Sequence, residues 1–209
     1  PNFYAAKLAS KFGKVVLSGT GGDEIFAGYP WRYQTENNYK NFDDFLVSYF
    51  KSWQRLVSRD MMPKIVSPIW KDVSHIDTFE IFKNIFKKTN QNVNNVGECV
   101  NSCLYLESKT FLKGLLSVED KLSMAFSLEN RVPFLDNELV DFACRLPVKY
   151  KIGNLRNLRN LDENNVMKKK EKSYFRSENG KLILRKMMKN YVPKNIYAGI
   201  KQGFSAPDA

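Results

Sequence analysis

Two stretches of this chain concentrate residues able to do chemistry. The first is Ser18-Gly19-Thr20-Gly21-Gly22-Asp23-Glu24-Ile25-Phe26-Ala27-Gly28-Tyr29. Its glycines allow close backbone approach and positive φ, so successive amide N–H groups can turn toward one phosphate oxygen. Asp23 adds a hard oxygen ligand of the kind that holds Mg²⁺ against phosphates. The spacing is neither GxGxxG nor GxxxxGK[ST], and a tight structural turn capped by Asp23 accounts for the same residues. The second stretch, DKLSMAFSLENRVPFLD, runs from Asp120 to Asp136, and in it Glu129, Arg131 and Asp136 interrupt apolar residues. Charge in apolar surroundings needs a partner, so Arg131 is expected to pair with a carboxylate. A purely structural ion pair, with Asp136 capping a helix from about Asn137, remains the alternative.

The elements that must position these residues are legible from periodicity. Phe3 to Phe12 reads as a short helix ended by Gly13, and residues 14–18 (KVVLS) as a strand too short to prefer a helix. A strand, a glycine-rich turn and an acidic helix start make the junction at which α/β enzymes place ligands. Beyond it the chain reads as mostly helical. Phe42, Phe45, Leu46, Tyr49, Phe50, Trp53, Leu56 and Val57 keep helical spacing and should face a core or a domain contact. Asp77 with Glu80, and Ser117 with Asp120, offer capping boxes. Residues 88–98 read as a polar linker and 154–179 as a polar insertion. Leu104, Phe111, Leu112 and Leu115 mark a helix, Leu139 to Leu146 a helix stopped by Pro147, and Leu184 to Tyr191 another, with Pro193 near its end. The expected architecture is one or few strands of a parallel sheet under a helical layer, with further strands upstream of Pro1.

The 209 residues carry 43% hydrophobic and 13% aromatic side chains, enough to fill a core. Lys and Arg exceed Asp and Glu by 11, which favours anionic partners such as ATP and pyrophosphate. Nucleic acid is not expected, because no Arg/aromatic recognition motif accompanies the Lys168, Lys169, Lys170, Lys172 run, which reads as a solvated loop. Cys99, Cys103 and Cys144 form no C-x-x-C pair; the first two share a helical face and read as buried, in a reducing, cytoplasmic setting. His75, the sole histidine, reads as a surface or capping residue. No 18-residue apolar run offers a membrane span. The chain opens at Pro1 and closes on SAPDA without a periodic element, so both ends read as cut.

The two stretches, together with LPVKYKI at 146–152 and KQGFSAP at 201–207, resemble the synthetase domain of glutamine-hydrolysing asparagine synthetases. The family element SG-x-G-x-DE-x-F-x-GY matches residues 18–29, SMA-x-SLE-x-RVPFLD matches 123–136, and KQGF matches 201–204. The resemblance implies an α/β, adenine-nucleotide alpha-hydrolase-like (PP-loop ATPase-like) synthetase domain, of which residues 1–209 form a part. It implies that ATP adenylates the side-chain carboxylate of aspartate, and that ammonia from a glutaminase domain upstream in the same parent chain displaces AMP. By resemblance, Ser18, Gly19, Gly21, Gly22 and Asp23 bind the nucleotide, with Asp23 as the Mg²⁺ ligand. Lys201, Glu129 and Thr20 take the catalytic positions. Arg131 and Asp136 support the substrate pocket, and a homodimer is compatible with the family.

Thr20 departs from the pattern, because the family carries Glu or Asp there, where a carboxylate can accept a proton from attacking ammonia. Threonine is no base near neutral pH. A tolerated change beside Glu129, activity on another small carboxylate such as a sugar acid or a peptide side chain, and a degenerate scaffold paralogue all stay open. The SGG-x-DS pyrophosphate loop and an N-terminal catalytic Cys do not occur in these residues and are expected upstream. On that expectation, residues 1–209 alone are inactive.

Overall fold

The computed structural model describes residues 1–209 except 34–38, 55, 56, 58, 90, 154–179 and 200–209. The polar insertion with its lysine run, Leu56, and the whole KQGF element with Lys201 therefore lie outside the described residues.

Helix α1 (Asn2–Ala9) leads through a turn into strand β1 (Val15–Leu17). The glycine-rich turn opens the short helix α2 (Gly22–Ile25), and a 3-10 turn follows at Pro30–Arg32. Helix α3 (Phe42–Trp53) is capped by Asn41, whose side chain accepts from the Asp44 amide at 2.9 Å. Its expected continuation to Val57 is not found, since the helix stops at Trp53. Two single-turn helices, α4 (Met62–Ile65) and α5 (Trp70–Val73), precede α6 (Thr78–Ile85). Asp77 caps α6 by accepting from the Phe79 and Glu80 amides, as its place before Phe82 predicts.

The long pair α7 (Val96–Lys109) and α8 (Phe111–Met124) differs from expectation in three ways, the first being that Thr110 divides Leu104 from Phe111, Leu112 and Leu115, which therefore lie on two helices. The polar segment 88–98 is not all linker, because Asn95 caps a helix that has begun by Val96. Ser117 and Asp120 are no capping box, because they lie inside α8, which runs unbroken from Phe111. A capping signature specifies a start only where the preceding turn is not already helical, and α8 is nucleated upstream at Thr110. Ser127, at φ 51°, reverses the chain after α8, and the Leu128 amide donates to the Ser123 carbonyl at 3.1 Å. Strand β2 (Glu129–Arg131) follows, then α9 (Asn137–Arg145), α10 (Val148–Lys151), α11 (Leu182–Met188) and α12 (Lys194–Tyr197).

Among the described residues the sheet is a parallel pair, with Val15, Val16 and Leu17 opposite Glu129, Asn130 and Arg131. This is the mostly helical α/β architecture that the sequence implies. The main core joins α3, α6 and α7 through Phe42, Phe45, Leu46, Tyr49, Phe82 and Phe86, with Cys99 and Cys103 buried beside them. The aromatic stripe of α3 is thus core. A smaller cluster holds Ile25, Phe26 and Ala143 against Phe134, Leu135 and Leu139, and it fastens α2 to the segment after β2.

Candidate functional site

The two chemistry-bearing stretches lie about a hundred residues apart in sequence, and the parallel pairing lays them side by side. The Glu129 amide donates to the Lys14 carbonyl and the Ser18 amide to the Arg131 carbonyl, each at 2.8 Å. The glycine turn thus leaves the carboxyl end of β1 directly beside the end of β2. Both strands half-bury their middle residue and expose the flanking ones. Val15, Leu17, Glu129 and Arg131 consequently share the open face, while Val16 and Asn130 point inward. The Asn130 Oδ1 is buried without a hydrogen-bond partner among the described residues.

Gly21 and Gly22 are required by packing. Gly21 has φ 93°, and a Cβ on it would run into the Leu135 side chain; one on Gly22 would press the Phe134 ring at 3.2 Å. The two motifs therefore meet as close-packed surfaces. The Gly22 amide bonds the Gly19 carbonyl and the Thr20 amide bonds Ser18 Oγ, so both N–H groups are spent inside the turn. Gly19 meets nothing within 4 Å where a Cβ would stand and keeps open space around it.

Asp23, in the first turn of α2, forms an ion pair from Oδ1 to Lys181 Nζ at 2.8 Å. Lys181 is presented from the start of α11 by a left-handed backbone, φ 55°, and its amide donates to the Phe26 carbonyl. The carboxylate is also confined from the other side, since a Cβ on Gly28 would overlap it. A cleft of about 220 Å³ opens beside this pair, lined by Gly28, Gly180, Lys181, Leu184, Arg185 and Met188 among others. Arg185 is held by the carbonyls of Gly180, Tyr197 and Gly199 and so braces the cleft wall.

Glu129 and Arg131 pair with each other, Oε1 to Nε at 2.8 Å, with 57% and 63% of their side chains exposed. Arg131 thus has its expected carboxylate partner, but in solvent rather than in an apolar pocket. Asp136 caps α9, accepting from the Glu138 and Leu139 amides. Thr20 is linked to Ser18, Oγ1 to Oγ at 3.0 Å. The structure therefore joins Thr20 with Ser18, Asp23 with Lys181, and Glu129 with Arg131, as three neighbouring but separate contacts.

Three further carboxylates of this region are given no role by the sequence, one of them the second acid of the DE pair. Glu24 is 2% exposed and accepts from Tyr29 Oη at 3.1 Å. Glu107, wholly buried on α7, accepts from Tyr33 Oη at 3.4 Å and stands 4.0 Å from Arg32 Nη1. Burial pushes its carboxyl up to about 8, against the opposing pull of Arg32. Desolvation likewise raises the Tyr29 and Tyr33 hydroxyls well above their ordinary range. Arg32 lies over the Tyr29 ring at 4.1 Å and the Phe111 ring at 4.7 Å. The third is Glu119 on α8, which accepts from Ser18 Oγ at 2.5 Å. Standing beside Asp120 and Lys121 in a charged stretch of α8, it carries no sequence signal that sets it apart.

Among the described residues no set of three or more His, Cys, Asp or Glu could hold a metal, and no helix is long and apolar enough to cross a membrane. The sequence profile of the asparagine synthase family matches residues 1–209. Asparagine synthetase [glutamine-hydrolyzing] 1 of Bacillus subtilis is 26% identical over 233 aligned positions, covering 99% of this chain and 33% of that protein. Asparagine synthetase [glutamine-hydrolyzing] 3 of the same organism is 30% identical over 144 positions, covering 66% of this chain and 21% of its own length. The chain thus spans a third or less of these relatives. No solved structure matches.

Proposed function

The chain belongs to the asparagine synthase family, and from that premise we propose that its parent protein is an ATP-dependent amide-forming ligase. In this reading the parent adenylates the side-chain carboxylate of aspartate and transfers ammonia to it. Residues 1–209 are part of the synthetase domain. The pyrophosphate loop and a glutaminase domain supplying ammonia belong to the remainder of the parent, in a cytoplasmic protein.

The observation that carries the reading is the parallel pairing of β1 with β2. It puts the turn holding Asp23 beside Arg131 at one carboxyl edge, where α/β folds bind ligands, with Glu129 at the other end of the same short strand, opposite Val15. Asp23 fits a magnesium–nucleotide contact by its donor chemistry. Its Oδ1 already faces a cation, Lys181 Nζ, and a single carboxylate suffices where phosphate oxygens complete the shell. Bound there, Mg²⁺ would neutralise charge on the departing pyrophosphate. Lys181 would stay close enough to pair with a phosphate oxygen, and Lys201 would bring a second point charge from the KQGF element. Glu129 and Arg131, on the open face of the strands, would orient the acyl substrate, with Asp136 holding the α9 start that follows them.

ATP–pyrophosphate exchange by the parent, dependent on Mg²⁺ and on L-aspartate, is the expected result. Exchange dependent on a different carboxylate would transfer the assignment to a sugar-acid or peptide amidotransferase with the same geometry. No exchange with any carboxylate would leave a catalytically degenerate scaffold.

A further inference from the structure

Ser18, Thr20 and Glu119 form a directed chain of hydrogen bonds. Glu119 in its carboxylate form can only accept, so Ser18 Oγ donates its one hydrogen to Glu119 Oε1. With that hydrogen committed, the 3.0 Å contact between the Ser18 and Thr20 hydroxyls has a fixed sense: Thr20 Oγ1 donates and Ser18 Oγ accepts. Ser18 Oγ also accepts from the Thr20 amide at 3.2 Å, which fills its lone pairs. Thr20 Oγ1 is left with lone pairs for an incoming N–H. At the far end, Glu119 Oε2 is buried and holds no hydrogen bond among the described residues. A buried carboxylate oxygen without a donor is costly.

We infer that Glu119 is a positioning carboxylate of the amine-transfer step, drawing the nucleophile's proton away through the hydroxyls of Thr20 and Ser18. The inference rests on the reading of the parent as an amide-forming ligase. The nitrogen lone pair forms the C–N bond at the activated acyl carbon, and the C–O bond to the phosphate of AMP breaks, its electron pair leaving with AMP. The surplus N–H proton passes to Thr20 Oγ1 as the Thr20 hydroxyl proton passes to Ser18 Oγ and that of Ser18 to Glu119. Protonated Glu119 later returns its proton to solvent by the reverse path. Threonine then needs no basicity of its own, since the base stands two hydrogen bonds behind it, on α8.

The test uses the full-length parent with L-aspartate and either ammonium chloride or hydroxylamine as nucleophile, following amide (or hydroxamate) formation and ATP–pyrophosphate exchange in parallel. Glu119→Gln keeps the size of the side chain and can still accept from Ser18, but takes no proton. It is expected to lower amide formation from ammonia about 10²-fold more than it lowers exchange, the scale of a lost proton acceptor. Hydroxylamine, whose adduct sheds its proton more readily, should show a smaller defect. Thr20→Val should reproduce the loss, Thr20→Ser, which keeps the hydroxyl, should lose markedly less amide formation than Thr20→Val, and Thr20→Glu should restore amide formation in the Glu119→Gln background by placing a base at the turn itself. Equal loss of exchange and amide formation in folded Glu119→Gln would reduce Glu119 to a structural role and overturn the relay, as would near-normal amide formation. If Glu119→Gln does not fold, the Thr20→Val and Thr20→Ser pair decides: equal rates overturn the relay. A parent without exchange overturns the ligase reading itself, a result separable from failure of the relay alone.

Discussion

Asp23 is confined from two sides, by the Lys181 ammonium at 2.8 Å and by the backbone of Gly28. That confinement gives the neighbouring glycines different tasks. Gly21 keeps a left-handed backbone against Leu135, so Gly21→Ala should destabilise the chain by about 1–3 kcal/mol, the scale of a strained φ together with a forced contact. A urea-unfolding midpoint equal to that of the unaltered chain would contradict it. Gly28→Ala acts on chemistry instead, because the new methyl displaces the Asp23 carboxylate. In the parent it should lower ATP–pyrophosphate exchange in parallel with Asp23→Asn, which should abolish exchange while leaving the circular dichroism spectrum intact. Normal exchange by Asp23→Asn across a range of magnesium concentrations would leave Asp23 a structural partner of Lys181 only.

Helix α7 carries Glu107 into a site with no solvent, against Tyr33 and Arg32. The consequence belongs to the element, because α7 also supplies Cys99, Val100, Cys103 and Leu106 to the main core. Burial raises the Glu107 carboxyl from 4.5 to about 8 in the folded chain. The folded state therefore holds a proton that the unfolded state has released between these values. Its contribution to stability is fully present below about 4.5, declines as pH rises, and is lost above about 8. Glu107→Gln should remove that slope, leaving the variant more stable than the unaltered chain at pH 9 and closest to it near pH 5. Thermal melts of both proteins across this range check the sign, and parallel curves would show that Arg32 keeps Glu107 ionised. Only the contacts of Tyr33 and Arg32 reveal this; in sequence Glu107 is an ordinary helical residue four positions after Cys103.

At the scale of the molecule, 209 residues with a net charge of +11 cover 33% of the first Bacillus relative. The described sheet has two strands, and its open face carries Val15 and Leu17, 47% and 70% exposed. If the pyrophosphate loop lies in the rest of the parent, residues 1–209 alone should show no ATP–pyrophosphate exchange under conditions in which the parent does. Exchange at comparable rates in the isolated chain would place the whole adenylation site within these residues and refute the division proposed above.

Sequence by itself determined the local elements and the family. The β-branched run at Val15 to Leu17, the Asp77 and Asp136 caps, the aromatic stripe of α3 and the ordered motifs at 18–29 and 123–136 are local signals, because propensity, period and capping act over a few residues. Where such signals competed, they misled. Ser117 and Asp120 look like a helix start and lie inside α8, since a helix already propagating needs no new nucleus. Tertiary structure alone decided the partners. It laid β1 beside β2, matched Gly21 to Leu135 and Lys181 to Asp23, turned Glu129 and Arg131 to the open face, and brought Glu119 to Ser18 across 101 positions. Side-chain chemistry can be listed from a sequence, but a hydrogen bond requires two groups within about 3 Å, and only the packing of α8 against the strand pair brings the Glu119 carboxylate that close.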